Sequence, residues 1–174
     1  MEFSKERSIE LVTKAGLRLN IRQASSADEP GILEFLGAVS TEDLRFRFLD
    51  TVKPSGSMAH LLAQTDRNHI ENLLAFDAAD GRLVATATIA AGSSPEKAEV
   101  ALIVRSDLKG QGIGWMLLKH ICDLARIRGF RTVECVESSE NRRAMQVEEE
   151  LGFVREAHPA DATLTILSKD LEQA

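Results

Sequence analysis

The segment Lys109–Gly114 places three alternating glycines between a short apolar run and a long amphipathic one. The preceding run, Val100–Val104, is unbroken and rich in branched residues, which predicts a buried strand. The following segment, Ile113–Arg128, has apolar residues at helical spacing and predicts a helix that lies on a sheet. A glycine loop at such a junction offers free backbone N–H groups at the positive end of a helix dipole, with no Cβ atoms to block close approach. The segment therefore predicts a site for a phosphate-bearing ligand.

The spacing of these glycines separates the known kinds of phosphate loop. A Walker loop requires GxxxxGK[ST], which the chain from Gly110 onward does not provide. A dinucleotide fingerprint starting at Gly112 would lack its third glycine, because Leu117 stands there. Lys109–Gly114 instead resembles the acyl-CoA pyrophosphate loop of the GNAT N-acetyltransferases, usually written [Gln/Arg]-x-x-Gly-x-[Gly/Ala], with Lys109 in the first position. A glycine-rich turn without a ligand is the alternative interpretation.

A second motif follows the predicted helix. Arg131–Val136 alternates and predicts a strand, Asn141 comes next, and a further helix is predicted before Leu151–Phe153. This order resembles the second half of the GNAT core, in which the Asn commonly meets the cofactor or orders the loop. Gly152 also suits the left-handed residue that ends a helix. The two motifs together span about residues 98–155, and their combination is far more specific than either alone.

Three further segments narrow the resemblance. Leu44–Phe48, Gln64–Asp66 and Ala98–Asp107 look like the GNAT domain of bacterial protein lysine acetyltransferases. Those domains are often fused to a regulatory module, whereas 174 residues correspond to one domain with a sizeable core. We therefore expect a single acetyltransferase domain over residues 1–174, with a core at about 17–167 and frayed polar tails at 1–15 and 169–174.

The resemblance implies the fold and the cofactor site. The expected fold is α/β, in three layers: a mixed, mostly antiparallel sheet, splayed between its fourth and fifth strands and flanked by helices. Acetyl-CoA would enter the splay as cosubstrate, with its pantetheine arm extending the sheet and Asn141 approaching it. The expected cofactor-binding residues are, on the strand, Leu102, Ile103 and Val104, and, through the amides of the loop, Lys109, Gly110, Gln111, Gly112, Ile113 and Gly114.

Acetyl transfer to an amine needs a group that takes up the proton leaving the nitrogen. A partly buried carboxylate at the substrate end of the cofactor strand can do so, directly or through a water. Glu99 stands at the start of that strand, where the resembled lysine acetyltransferases have their proposed general base. The alternative is a solvated carboxylate paired with Lys97.

Many GNAT enzymes use a Tyr on the helix before Leu-Gly-Phe to protonate the leaving thiolate. This chain contains no Tyr, and Glu148 stands at the matching position. Because three glutamates are adjacent at Glu148–Glu150, the sequence predicts a solvated helix face there. The thiolate can also be protonated by water, so a missing acid does not exclude the reaction.

Cysteines and histidines give no metal or triad spacing, and no metal is expected, because a thioester is already activated. Cys122 and Cys135 are predicted to be reduced core thiols, with a catalytic role for Cys135 as the alternative. The four histidines are predicted to lie on the surface. Only His158, which follows the Gly-Phe strand, is near the expected acceptor entrance.

Charge and hydropathy limit the partners. The formal net charge of −6 disfavours nucleic acid and favours a cationic partner. No apolar run approaches the ~18 residues of a transmembrane helix. The charged start Met1–Arg7 is unlike a signal peptide. The sequence therefore predicts a cytoplasmic protein without a membrane partner, and it leaves open whether the chain forms a homodimer.

Three classes of function stay open. The first is an N-acetyltransferase that acts on a protein lysine or a small amine, the second a non-catalytic module that senses acyl-CoA, and the third a scaffold domain that has lost its cofactor. The intact glycine loop disfavours the third class, and Glu99 favours the first over the second. The narrower resemblance and the acidic charge favour a protein lysine as the acceptor.

Overall fold

The computed structural model of the chain describes residues 7–66 and 68–172. Its strands are β1 (Ile9–Val12), β2 (Arg18–Gln23), β3 (Ile70–Asp77), β4 (Leu83–Ala91), β5 (Lys97–Val104), β6 (Thr132–Ser138), β7 (Val154–Ala157) and β8 (Leu164–Asp170). Its α-helices are α1 (Glu29–Gly37), α2 (Thr41–Phe48), α3 (Gly56–Ala63), α4 (Ile113–Ile127) and α5 (Arg142–Glu150).

The strands form one sheet in the order β1-β2-β3-β4-β5-β6-β8-β7. Every neighbouring pair in that order is antiparallel except β5 and β6, which are parallel and are connected through α4. One apolar cluster joins α4 and α5 to one face of the sheet, and a second joins α1, α2 and α3 to the other face. The three layers and the mixed, mostly antiparallel sheet confirm the predicted fold class.

Local sequence accounts for where the helices begin. Ser40 and Ser55 cap α2 and α3, since each side-chain oxygen accepts a hydrogen bond from a backbone N–H three residues on. The predicted strand and helix around the glycines are present as the end of β5 and as α4, whose apolar stripe is buried in the core. The helices therefore follow the capping and periodicity of the sequence.

The tails differ from the expectation. Ile9–Val12 forms β1, an edge strand paired with β2, and Glu10 makes an ion pair with Arg18 at 2.7 Å. Its residues are mostly exposed, so no alternating apolar pattern marks the strand. At the other end, β8 runs on to Asp170, and Leu171 is buried in the core. The expected fraying of residues 1–6 and 173–174 lies outside the described residues.

The sheet splits between β5 and β6. Their pairing ends after three residue pairs, the last of which is Glu99 with Glu134, although both strands continue. Counted without the edge strand β1, β5 and β6 are the fourth and fifth strands, so the splay lies where the family resemblance implied it.

Candidate active site

The splay opens into a cavity of about 560 Å³. This volume lies within the range typical of small-molecule sites. One wall is β5, which pairs with β4 along one edge, while no described strand pairs with its other edge beyond Glu99. The other walls come from β6, α2, α5 and the start of α4. The site residues predicted from the sequence that line the cavity are Leu102, Ile103, Val104, Lys109, Gly110, Gly112, Ile113, Gly114 and Asn141.

The glycine loop enters α4 through left-handed residues. Gly110 and Gly112 have φ of 80° and 81°, and Gly112 is the N-cap of α4. Gly112 has no side chain to accept from the first turn, so the free N–H groups at the helix start are left for another acceptor. Ile113 is buried, so that side chain belongs to the core. Gln111 does not line the cavity. The backbone conformation suits an anionic group held by amides.

The side chain of Lys109 has a partner within the protein. Its Nζ pairs with Asp43 on α2, and that carboxylate also accepts a hydrogen bond from Ser106 Oγ at 2.6 Å. Burial would raise the pKa of Asp43, but the hydrogen bonds from Lys109 and Ser106 outweigh it and leave the pKa lowered. Lys109 therefore ties the loop to α2. Lys14, whose Nζ lies 4.2 Å from the centre of the Trp115 ring, and Arg143 are further cations that line the cavity.

Asn141 caps α5 and holds a carboxylate. Its Oδ1 accepts from Ala144 N at 3.4 Å, and its Nδ2 donates to Glu137 Oε2 at 2.9 Å. The Asn thus orders the turn between β6 and α5 at the edge of the cavity. The resemblance implied an Asn that meets the cofactor or orders the loop, and a contact of Asn141 with the cofactor stays a prediction.

Glu99 lies on the last paired row of the splay, with its side chain exposed. Among the described residues, no hydrogen bond or ion pair is made by this carboxylate. Lys97, its expected alternative partner, instead donates to Glu134 Oε2 at 2.9 Å. The next residue of β5, Val100, lines the cavity. Glu99 is therefore an exposed carboxylate beside the cavity.

Glu148 is not on a solvated helix face, and that expectation was wrong. Only 4% of this residue is exposed, and it packs beside Glu137 and Cys135 of β6. The signal was present in the sequence, because Glu148 shares one helical stripe with Met145 and Leu151. The adjacent Glu149 and Glu150 are exposed as expected.

Burial and the neighbouring Glu137 raise the pKa of Glu148 to about 9, so this carboxyl is protonated at neutral pH. Burial also raises the pKa of Glu137, which accepts hydrogen bonds from Asn141 and Glu148. On α2, burial lowers the pKa of Arg47 to about 10, although the charge of Glu137 opposes this. Because this pKa is still well above neutral pH, the guanidinium group stays charged. The three groups form a buried cluster that sequence reasoning did not assemble.

Both cysteines are buried, and none of the histidines that the structure describes lines the cavity. Burial raises the pKa of Cys122 and, well above its ordinary value, that of Cys135, so both are neutral thiols at neutral pH. His158 Nδ1 accepts from two backbone N–H groups of its own turn, each at 3.2 Å.

Residues 7–66 and 68–172 contain no group of three or more His, Cys, Asp or Glu able to hold a metal ion. None of the described helices is both long and apolar enough to span a membrane.

The buried pair predicts a pH-dependent stability. A Glu in the unfolded chain has a pKa of about 4.3, so between about pH 5 and pH 9 the folded state binds more protons, and the free energy of unfolding falls as pH rises. Glu148→Gln is neutral at every pH. We therefore expect its Tm to gain on that of the unmodified protein from about pH 5 to pH 9 in scanning calorimetry. Glu149→Gln is the control at an exposed position. A Tm difference between Glu148→Gln and the unmodified protein that stays constant with pH would contradict a protonated Glu148.

The chain is similar to acetyltransferases over most of its length. The model of the acetyltransferase (GNAT) family matches residues 39–153. An acetyltransferase of Pseudomonas aeruginosa is 30% identical over 154 residues, which cover 87% of this chain and 83% of that protein.

Solved structures of the same fold extend over nearly the whole chain. The GNAT domain of S. lividans PAT has a TM-score of 0.85 at 23% identity, over 97% of this chain and 99% of that one. Spermidine N-acetyltransferase from Vibrio cholerae, in complex with CoA and spermine, has a TM-score of 0.73 at 18% identity, over 88% and 96%. At these identities the two structures establish a shared fold.

Proposed function

Because the chain belongs to the GNAT family and is an N-acetyltransferase that uses acetyl-CoA, we propose that its acceptor is the side-chain amine of a protein lysine. The observation that carries the proposal is the position of Glu99. This carboxylate is exposed and unpaired beside the cofactor cleft, so an amine on a protein surface can reach it without entering an enclosed pocket.

The cofactor contacts that we propose follow from the geometry of the cleft. The pyrophosphate would bind the backbone amides of Lys109–Gly114, including that of Gln111, because the loop leaves these donors free at a helix start. The pantetheine arm would add to the near edge of β5 along Leu102–Val104, in the way that an extended peptide adds to a sheet. Asn141 would approach the arm from the end of β6.

The catalytic role that we propose for Glu99 is that of general base. A lysine amine is protonated at neutral pH and must lose a proton before and during attack on the thioester carbonyl. Glu99 would accept that proton directly or through one water. Its exposure allows the proton to pass on to solvent after each turnover.

The charges around Glu99 favour a cationic acceptor. The hydrogen bond to Glu134 is the main reason why the pKa of Lys97 is raised, and the negative charges of Glu156 and Glu99 raise it further. Lys97 is paired with Glu134 and also feels the negative charges of Glu156 and Glu99. A surplus of negative charge at the acceptor side would attract a lysine-rich surface.

Electrostatic attraction of this kind predicts a salt effect. We expect kcat/KM for a basic protein acceptor to fall as ionic strength rises from low to physiological values, where the screening length is about 8 Å. A small monoamine carries little charge to attract and is the control, with a weaker dependence. Equal salt slopes in steady-state assays would argue against a charged protein surface as the acceptor.

The identity of the acceptor is tested directly with radioactive acetyl-CoA. The protein is incubated with cell lysate and, separately, with a panel of small amines that includes polyamines. Labelled lysines in lysate proteins, located by mass spectrometry, are the expected result. Efficient turnover of a small amine with no labelled protein would make the chain a small-molecule acetyltransferase. Binding of acetyl-CoA without any transfer would make it an acyl-CoA sensor.

A further inference from the structure

Two buried carboxyl groups lie side by side where the splay begins. Glu137 is the third residue of β6 after its last pairing with β5, and Glu148 reaches it from α5. Both residues line the cavity, as does Cys135, which lies on β6 between Glu137 and the last residue paired with β5. The pair therefore belongs to the surface that a bound thioester would contact.

Neighbouring side chains within the described residues do not satisfy the whole carboxyl group of Glu148. Its Oε2 is buried and, among the described residues, has no hydrogen-bond partner. A buried polar atom without a partner is costly unless something else satisfies it. Because Glu148 lines the cavity, a molecule bound there is the candidate partner once the carboxyl group turns towards it.

Charges around the pair fix where its proton resides. Glu137 accepts from Asn141 Nδ2 and faces Arg47 of α2, so Glu137 carries the negative charge. Within the described part of the chain, no cation forms an ion pair with Glu148. The titratable groups that act on Glu148 are Glu137 and Cys135 on β6 and Glu149 on α5. On β8, the ammonium group of Lys169 donates a hydrogen bond to Leu151 O. Two carboxylates in contact cannot both ionise readily, so the proton stays on Glu148.

We infer that Glu148 is the acid that protonates the sulfur of CoA as the thioester breaks, with Glu137 as the residue that positions its carboxyl group. The inference rests on the proposed function for the placement of the cofactor. It gives this chain a carboxylic acid at the position where other members of the resembled family have a Tyr.

Strand geometry brings the sulfur to this carboxyl group. From Val104, next to the glycine loop, back to Val100 is four residues, or about 13 Å of extended strand. An arm that runs along β5 from the pyrophosphate loop therefore ends opposite the first unpaired residues of β6. Those residues are Cys135–Glu137, which Glu148 contacts.

The step is balanced in atoms and electrons. The acceptor nitrogen forms a bond to the carbonyl carbon, and Glu99 takes the proton that the nitrogen loses. The C–S bond breaks with its electron pair on sulfur, and the carboxyl group of Glu148 transfers its proton to that sulfur to give the free thiol. Glu148 is left as a carboxylate beside Glu137, which favours its return to the protonated form from solvent.

Kinetics of Glu148→Gln test the transfer. Gln keeps the shape and neutrality of the buried group but has no acidic proton, so we expect kcat to fall at least about tenfold, the lower range of acid catalysis. The matched control is Glu149→Gln on the same helix, which should keep kcat within about twofold. The loss should shrink with an acetyl thioester of a CoA analogue whose thiol is more acidic, because such a thiolate leaves without help.

The pH profile adds a readout that a structural role would not move. With the pKa of Glu148 at about 9, kcat of the unmodified protein should decline on the alkaline side near pH 9. This decline should be absent from Glu148→Gln and present in Glu149→Gln. A Glu148→Gln variant that binds acetyl-CoA, keeps kcat within about twofold and retains the alkaline decline would overturn the inference.

Infrared spectroscopy of the protein without substrate tests the proton independently of activity. At neutral pH we expect a carbonyl band of a protonated carboxyl group that disappears in Glu148→Gln and remains in Glu149→Gln. Absence of that band from the unmodified protein would overturn the inference, even if Glu148→Gln failed to fold. Failure of the proposed function looks different, since the unmodified protein would then acetylate no protein lysine.

Discussion

Replacing Glu99 with Gln is expected to lower kcat about 10²–10⁴-fold at neutral pH, the range for loss of a general base. Gln preserves the size of the side chain on β5 but cannot accept the proton from the attacking amine. The affinity for acetyl-CoA, measured by calorimetry, should barely change, because Glu99 does not line the cofactor cavity. A fall in kcat without a change in that affinity would mark a group that acts on the acceptor.

The matched control for this variant is Glu96→Gln. Glu96 is an exposed carboxylate just before β5, and its Oε1 lies 3.6 Å from Nη1 of Arg131. Its replacement by Gln removes one surface charge near the acceptor side. A small effect on kcat/KM and almost none on kcat is expected there. A Glu99→Gln variant with near-normal kcat would contradict the assignment and direct attention to a water relay or to Glu137.

Replacing Gly114 with Glu is expected to weaken acetyl-CoA binding by well over tenfold. Gly114 is the second residue of α4, with ordinary helical φ, and a Cβ built there would lie 4.0 Å from a methyl group of Val104. Space for a side chain therefore exists, and the fold should survive. The added carboxylate would stand where the phosphates approach the N–H groups of the helix start, so like charges would repel.

The control at the same position is Gly114→Ala, which adds a Cβ but no charge and matches the Gly-or-Ala position of the resembled motif. Its acetyl-CoA affinity should stay close to that of the unmodified protein. Gly112 is a poorer choice, because its φ of 81° strains any side chain and would mix folding with binding. If calorimetry detects no acetyl-CoA binding by the unmodified protein at high micromolar concentration, the whole cofactor assignment is wrong.

Lys109 illustrates a role that local sequence could not assign. The resemblance placed Lys109 at the first position of the pyrophosphate loop, but the structure adds a role for its side chain, whose Nζ pairs with Asp43, 66 positions earlier in the chain. The same carboxylate is bonded to Ser106, whose Oγ also accepts from the backbone N–H of Ser40. The glycine loop at the cavity is thereby joined to α2, the helix that carries Arg47 to the cavity. Such a link depends on how α2 docks against the sheet.

The sequence by itself determined the features that depend on neighbours along the chain. The apolar run of β5, the glycines after it and the apolar stripe of α4 each act within a turn or two of the chain, so their patterns predicted a buried strand, an anion-binding loop and a helix. The splay between the parallel strands followed from family resemblance. An exposed edge strand such as β1 leaves no comparable pattern, because its side chains need not alternate in polarity.

Only the tertiary structure decided the electrostatics of the cleft. Whether Glu148 is a solvated carboxylate or a protonated acid depends on burial against β6, on Glu137 beside it and on Arg47 arriving from α2. These groups are far apart in sequence, and a pKa responds to all charges and to the solvent removed from around the group. Helical periodicity puts Glu148 on the same stripe as Met145 and Leu151. Packing of α5 against the sheet buries this carboxyl group beside Glu137 and so raises its pKa.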